Sequence, residues 1–360
     1  MRPPRPAHVV IGSGLTATAL ALTAGLTAQA ATSTGWRVVF RQHVGKATVY
    51  NDLLRVAAPS KTSAWAVGGS DLSGSTAGAP LAEHWNGTKW QVSALPGGLA
   101  GTLDAVSAPA GNDVWAVSGL TGYVLHWNGT TWAVAKKWKE PTSLPRELSG
   151  VTAFSAANVW VFGGPGANPG LGTWHFTGGK WAKVTGLAGA ITNASALSPT
   201  NIWALSSASS PGDIVIHFNG TSWTHIASPA LSGLNFQGIL ALGAKNIWAT
   251  GTLGQAAKLL HFNGTTWQRI TVPWKVYFSS LAPDGAGGLW LSAQSRSSNQ
   301  TWAVHRSAAG AWTRQQLPPA AAGGLVAITR IPGTTSMWGA GLITGTSGAD
   351  ATIWGRGPAA

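Results

Sequence analysis

Past residue 35 the chain is a succession of short segments in which apolar and polar residues alternate, rich in Val, Ile, Thr and Trp and broken by Gly, Asn, Asp and Pro. A period of two is the mark of strands with one buried face. No long stretch carries the 3.6-residue period of a helix, so the chain reads as all-β.

The strands repeat in groups. Seven tryptophans share one context: Ala64-Trp65-Ala66-Val67, Val114-Trp115-Ala116-Val117, Val159-Trp160-Val161-Phe162, Ile202-Trp203-Ala204-Leu205, Ile247-Trp248-Ala249-Thr250, Leu289-Trp290-Leu291 and Met337-Trp338-Gly339. They lie 50, 45, 43, 45, 42 and 48 residues apart. A second motif follows most of them: HWNGTKW from His84, HWNGTTW from His126, HFTGGKW from His175, HFNGTSW from His217 and HFNGTTW from His261, with a looser copy from His305 to Trp312. Asn-Gly between apolar runs predicts a hairpin with a type I′ turn, which needs φ > 0 at both central residues. Each unit then holds four strands. The second carries the first tryptophan, the third ends at the histidine and the fourth opens on the closing tryptophan. A period near 45 built from strands predicts a propeller, here a seven-bladed β-propeller with four antiparallel strands per blade.

The seventh unit ends one strand short. Its first three strands fall at residues 325–330, around Trp338 and at residues 352–354. The missing strand is expected at the other end of the chain, where Gly35-Trp36-Arg37-Val38-Val39-Phe40 matches the Gly-x-Trp opening of the others. Closing the ring with the N-terminal strand completes the last blade and removes exposed sheet edges.

The pattern resembles the kelch-like, galactose-oxidase-type superfamily of bacterial propellers. Gly68-Gly69 and Gly163-Gly164 match its glycine pair after strand two, and the late tryptophans match in every unit. Ser118-Gly119, Ser206-Ser207 and Thr250-Gly251 depart from it, and the hairpin is shorter. The resemblance implies a fold and no activity. The copper chemistry of galactose oxidase needs a tyrosine cross-linked to cysteine, and this chain has no cysteine.

Residues 1–30 read as a Sec-type signal peptide: Arg2 and Arg5, an apolar run from Val9 to Leu26, and an Ala28-Gln29-Ala30 cleavage site. Residues 31–360 are then one exported, extracellular propeller domain, expected as a monomer with no transmembrane segment after cleavage. Without cysteine it holds by burial alone. The net charge of +13 reflects scarce acids rather than dense bases, since only 9% of residues are charged. That favours loose attraction to anionic surfaces over a nucleic-acid groove, and no nucleic acid partner is expected.

Candidate chemistry is sparse. The recurring histidines cannot converge on one metal from separate blades, so they read as structural, and neither metal nor cofactor is expected. Counting back from the repeat tryptophans puts Asp104, Ser149, Thr192, Gln237 and Ser279 at one depth of the central channel. Asp52 and Asp104 open adjacent first strands and are the best-placed carboxylate pair. Trp138 and Trp274 fit no repeat position and lie in connections between blades. These share a face with the loops joining strands two and three, long at residues 69–80, 163–171 and 341–350. Arg41, His43, Lys46, Lys136, Lys137, Lys139, Arg146, Lys275 and Tyr277 fall on that face too. Exposed aromatics, basic residues and long loops predict a binding surface there. The readings are a secreted binding module for an extracellular glycan, cell-wall polymer or protein partner, an envelope scaffold without a small ligand, and a polysaccharide hydrolase or lyase.

Overall fold

A computed structural model describes residues 35–70, 78–138, 148–164, 171–187, 189–207, 214–298, 300–319 and 323–360. The expected signal peptide lies outside them. The strands form seven sheets of four antiparallel strands each. The first strand of each blade is Asn51–Ala57, Ala105–Ala110, Leu148–Ser155, Ala190–Ser198, Asn235–Gly243, Val276–Pro283 and Gly323–Arg330 in turn. Each of these touches the first strand of both neighbouring blades, so together they ring a central axis.

Blade 7 is assembled from both ends of the chain. Trp36–Gln42 pairs antiparallel with Ala349–Arg356, from Trp36 opposite Arg356 to Gln42 opposite Ala351. Trp36 is buried and meets Trp290 of blade 6 edge-to-face at 5.7 Å, so the closing strand also locks onto its neighbour.

The core sits between blades. Hydrophobic clusters pair residues of adjacent blades, as where Trp65, Val67 and Ala82 of blade 1 pack with Val114, Ala116, Leu125 and Trp132 of blade 2. The repeat tryptophans of blades 1 to 6 also carry a histidine on their face: Trp65–His84, Trp115–His126, Trp160–His175, Trp203–His217, Trp248–His261 and Trp290–His305 lie 4.0–4.6 Å apart. In blades 2 to 6 the histidine Nε2 meets Asp113, Asn158, Asn201, Asn246 or Asp284 at 2.8–3.0 Å. Ring stacking on one side and a carboxylate or amide on the other account for the repeated histidine. Burial holds His84, His175, His217 and His261 below the ordinary histidine pKa.

The Asn-Gly hairpins form, but with four-residue turns. The strand ending at Trp85 resumes at Trp90, Gly87 takes φ 91°, and Asn86 Oδ1 accepts from the N–H groups of Thr88 and Lys89 at 3.0 Å. An asparagine that mimics a backbone turn replaces the second residue of positive φ. Only blade 3 has the two-residue turn, where Gly178 and Gly179 both take positive φ (57° and 76°).

Candidate functional site

Each first strand carries one extra residue opposite its partner strand. The register skips Leu54, Ser149, Thr192, Gln237, Ser279 and Val326, and Asp104 holds the same place before the first strand of blade 2. Four of the five channel residues named from the sequence, Ser149, Thr192, Gln237 and Ser279, are therefore bulge residues, and Asp104 holds the corresponding place just before its strand. A bulge re-aims the side chain out of the ladder. It also explains a glycine of the Gly-Gly pair: a Cβ on Gly68 would lie 1.9 Å from the carbonyl oxygen of Asp52.

These side chains are spoken for by the fold. A first strand is the inner edge of its sheet, and its outward N–H and C=O groups need partners. Ser149 Oγ donates to the carbonyl of Ile191 in the next blade. Gln237 Oε1 accepts from the N–H of Phe278 in the next blade at 3.1 Å. Ser279 meets Ser292 Oγ at 2.7 Å, and Thr192 Oγ1 donates to the carbonyl of Leu205 at 3.4 Å. Ser107, Asn193, Ser195 and Ser280 likewise accept from the N–H groups of Ala153, Ile239, Ala241 and Ile328. Of the named channel residues, Ser149 and Gln237 thus tie adjacent blades, while Thr192 and Ser279 bond within their own blade.

Blades 1 and 2 differ. Asp104 accepts from Thr102 Oγ1 at 2.9 Å and from the N–H of Gly119 at 2.6 Å. Asp52 is buried, its Oδ1 has no partner, and burial pushes its carboxyl up to about 6. Arg55, which sequence reasoning did not single out, sits in the field of both carboxylates. Burial lowers its pKa and the two acids oppose that shift, while Nη1 donates to the carbonyl of Leu54 at 2.7 Å. The signal was available: Arg55 stands in the register place that Ala105, Gly150, Asn193, Gly238, Ser280 and Ala327 hold in the other blades.

The loop-face residues fall at three separated stations. At the seam between blades 7 and 1, Asp350 accepts from Arg41 Nε at 2.6 Å and meets His43 Nδ1 at 2.7 Å. His43 Nε2 approaches the carbonyl of Lys46 at 2.8 Å, and these contacts, the Lys46 carbonyl foremost, raise the His43 pKa. A cavity of about 270 Å³ opens beside them, lined by His43, Ala47, Gly345, Thr346, Ser347, Gly348 and Asp350. The loop expected over residues 341–350 is shorter, because Met337–Thr344 and Ala349–Arg356 extend the strands into it.

The second station corrects the sequence reading of Trp138. Its ring is 8% exposed, buried with Trp174 at 5.4 Å and Trp181 at 6.0 Å. Lys136 Nζ lies 5.7 and 5.8 Å from the Trp138 and Trp174 rings, and Lys137 is exposed. Lys139, Arg146 and most of the loops expected over 69–80 and 163–171 lie outside the described residues. At the third station Trp274 repeats this arrangement, half-buried against Trp312 at 6.3 Å with Arg314 over it at 5.4 Å. Both tryptophans anchor a connection against the blade it enters. Tyr277 is 40% exposed, with the Arg296 guanidinium stacked on it at 4.1 Å and Lys275 exposed nearby in the chain.

Among the described residues no group of three or more His, Asp or Glu could hold a metal, and no helix is long and apolar enough to cross a membrane.

No family model matches the chain, and no curated protein matches it. Solved structures do match. YCF48 bound to D1 peptide is 16% identical with a TM-score of 0.59, over 88% of this chain and 96% of that one. Catalytically inactive virginiamycin B lyase from Staphylococcus aureus, with quinupristin, is 10% identical with a TM-score of 0.58, over 89% and 99%. The extracellular domain of the putative one-component system BT4673 from B. thetaiotaomicron is 12% identical with a TM-score of 0.55, over 88% of this chain and 40% of that one. At these identities the likeness is one of fold: this chain is a β-propeller that shares its architecture with peptide-binding, catalytic and extracellular propellers alike.

Proposed function

We propose that this propeller is an exported binding module that recognises an extracellular ligand through its loop face, and that the ligand is a protein or peptide segment. One observation carries the reading. Of the seven large hydrophobics left exposed among the described residues, Tyr50, Leu120, Leu253 and Tyr277 lie on the loop face, on blades 1, 2, 5 and 6. Exposed Lys46, Lys137 and Lys275 lie among them. Scattered apolar anchors with a basic surround suit a partner that is itself part apolar and part acidic. A glycan or cell-wall polymer would want flat, free indoles, and Trp138 and Trp274 are engaged in packing. That a propeller of this architecture has been captured with a peptide supports the choice. Export rests on residues 1–30, and the kelch-like assignment rests on the glycine pairs and late tryptophans.

The test is a pull-down of the protein on isolated cell walls, insoluble polysaccharides and immobilised envelope protein, at two salt concentrations, beside a Tyr277→Ala/Leu120→Ser variant. Retention on protein that survives the higher salt and is lost in the variant is the expected result. Retention that salt alone abolishes reduces the interaction to charge attraction. Retention on a glycan matrix that is lost in the variant, with none on protein, overturns the choice of partner.

A further inference from the structure

The histidine repeat breaks in one blade. In blades 2 to 5 the residue two places before the repeat tryptophan is Asp or Asn and binds the histidine, and in blade 6 Asp284, in the turn before the second strand, takes that role. In blade 1 the residue two places before Trp65 is Ser63, a shorter side chain. Its Oγ is buried and has no partner among the described residues. His84 keeps its stack on Trp65 at 4.1 Å but has no hydrogen-bond partner among the described residues. Burial keeps the imidazole below its ordinary pKa and hence neutral at pH 7, so one ring nitrogen donates and the other accepts.

The released imidazole lines a cavity of about 380 Å³ in the groove between blades 1 and 2, away from the loop face. That volume falls in the roughly 300–1,000 Å³ range of small-molecule sites. Gln91, Ser93, Thr131, Leu95 and Trp127 line it as well, and no Lys, Arg, Asp or Glu does. Trp132 Nε1 donates to Ser93 Oγ at 3.2 Å, whereas half-buried Trp127 has no hydrogen-bond partner for its indole N–H among the described residues. The corresponding residue is Phe176, Phe218 or Phe262 in blades 3 to 5. So blade 1 lacks the tie that occupies the histidine in blades 2 to 6, and blade 2 offers an indole where blades 3 to 5 offer a phenyl.

We propose that this groove binds a neutral, hydroxyl-rich ligand: one or two pyranose units of an uncharged glycan. Hydroxyl groups both donate and accept, which matches a neutral imidazole, a carboxamide and two hydroxyls around one cavity. Trp127 packs on Trp65 at 5.0 Å and on Trp132 at 5.9 Å and, being only half-buried, presents the rest of its indole as an apolar surface with a polar edge for the C–H face of a sugar ring. The absence of charge from the lining disfavours phosphates and uronates, whose desolvation nothing here would offset. This second site stands apart from the loop-face reading.

The test is a titration of the full-length protein with cellobiose and with N,N′-diacetylchitobiose, followed by tryptophan fluorescence and saturation-transfer NMR, with glucuronate as the charged control. Saturable millimolar binding of at least one disaccharide, without glucuronate binding, is expected. Ser63→Asn restores the residue of blades 3 to 5 and should tether His84. It should weaken binding about tenfold, one lost hydrogen bond's worth, while leaving the Tm unchanged or higher. Trp127→Phe, the residue of blades 3 to 5, should weaken binding in a folded protein. Tyr277→Ala should leave the titration unchanged, which separates this site from the loop face. No saturable binding of either disaccharide, equal binding of glucuronate, or binding that both S63N and W127F leave intact would overturn the proposal.

Discussion

Glu83 is fully buried, and neither of its carboxylate oxygens has a partner among the described residues. In the same register place the other blades carry Leu125, Trp174, Ile216, Leu260, Val304 and Trp354. Burial pushes its carboxyl from 4.5 up to about 8. Because the folded pKa exceeds the unfolded one, Glu83 costs nothing below the unfolded value. Stability falls as pH rises from about 4.5, and the loss is complete above about 8. Glu83→Leu should therefore raise stability most at pH 9, by on the order of 3 kcal/mol, and flatten the dependence of Tm on pH in thermal scans between pH 5 and 9. The same logic at smaller scale governs the histidine ties: Asn201→Ala removes the 2.9 Å contact to His217 and should cost about 1 kcal/mol in chemical denaturation. Residue roles were legible where the repeat supplied a comparison. The histidines read as structural because identical residues on separate blades cannot share a metal, and the structure gives each ring a stack. Trp138 was not legible, since a tryptophan outside the repeat carries no sign of depth, and three neighbours from two blades decide that it is buried.

At the scale of elements, the closing strand is the sharpest case. Its assignment followed from counting strands and finding one missing, and the pairing of Trp36–Gln42 with Ala349–Arg356 has that form. Trp36→Ala removes a buried ring packed on Trp290 and should destabilise the fold by about 3–5 kcal/mol. Removing residues 31–40 should lower the melting temperature far more; an unchanged melt would mean that blade 7 does without its fourth strand. The bulges were less legible. Alternation told which residues shared a depth, yet a skipped register shows only in the pairing, and the bulged Ser149 and Gln237 reach the next blade. Hairpins read from Asn-Gly were right in place and wrong in turn type, because the asparagine side chain supplied contacts that a backbone rule leaves out.

For the whole molecule, the ring of first strands depends on side chains lent across each seam. Ser107, Asn193, Ser195, Gln237 and Ser280 each satisfy an N–H of the following blade. Ser195→Ala should therefore weaken the joint between blades 4 and 5 by about 1–3 kcal/mol, since it orphans a buried donor. Hydrogen exchange at Ala241, more than at Ser195 itself, would register it. Architecture, blade number and closure were readable from periodicity because each blade repeats one solution. The candidate site was readable only as a face, because loop residues answer to a partner that the repeat does not encode.

Blade 7 also fixes a direction. Trp36 and Arg356 are opposite each other at the start of the fourth strand and the end of the third, the edge from which the loop face points away. Anything joined to either end of the folded unit, whether a sensor-chip linker, a fluorescent protein or a second domain, is held on the far side. A surface coated through either terminus would thus display every copy with its loops outward, whereas a graft into a loop between blades would turn them inward. Immobilising the protein both ways and comparing ligand capture would give the orientation of the binding surface without knowing the ligand.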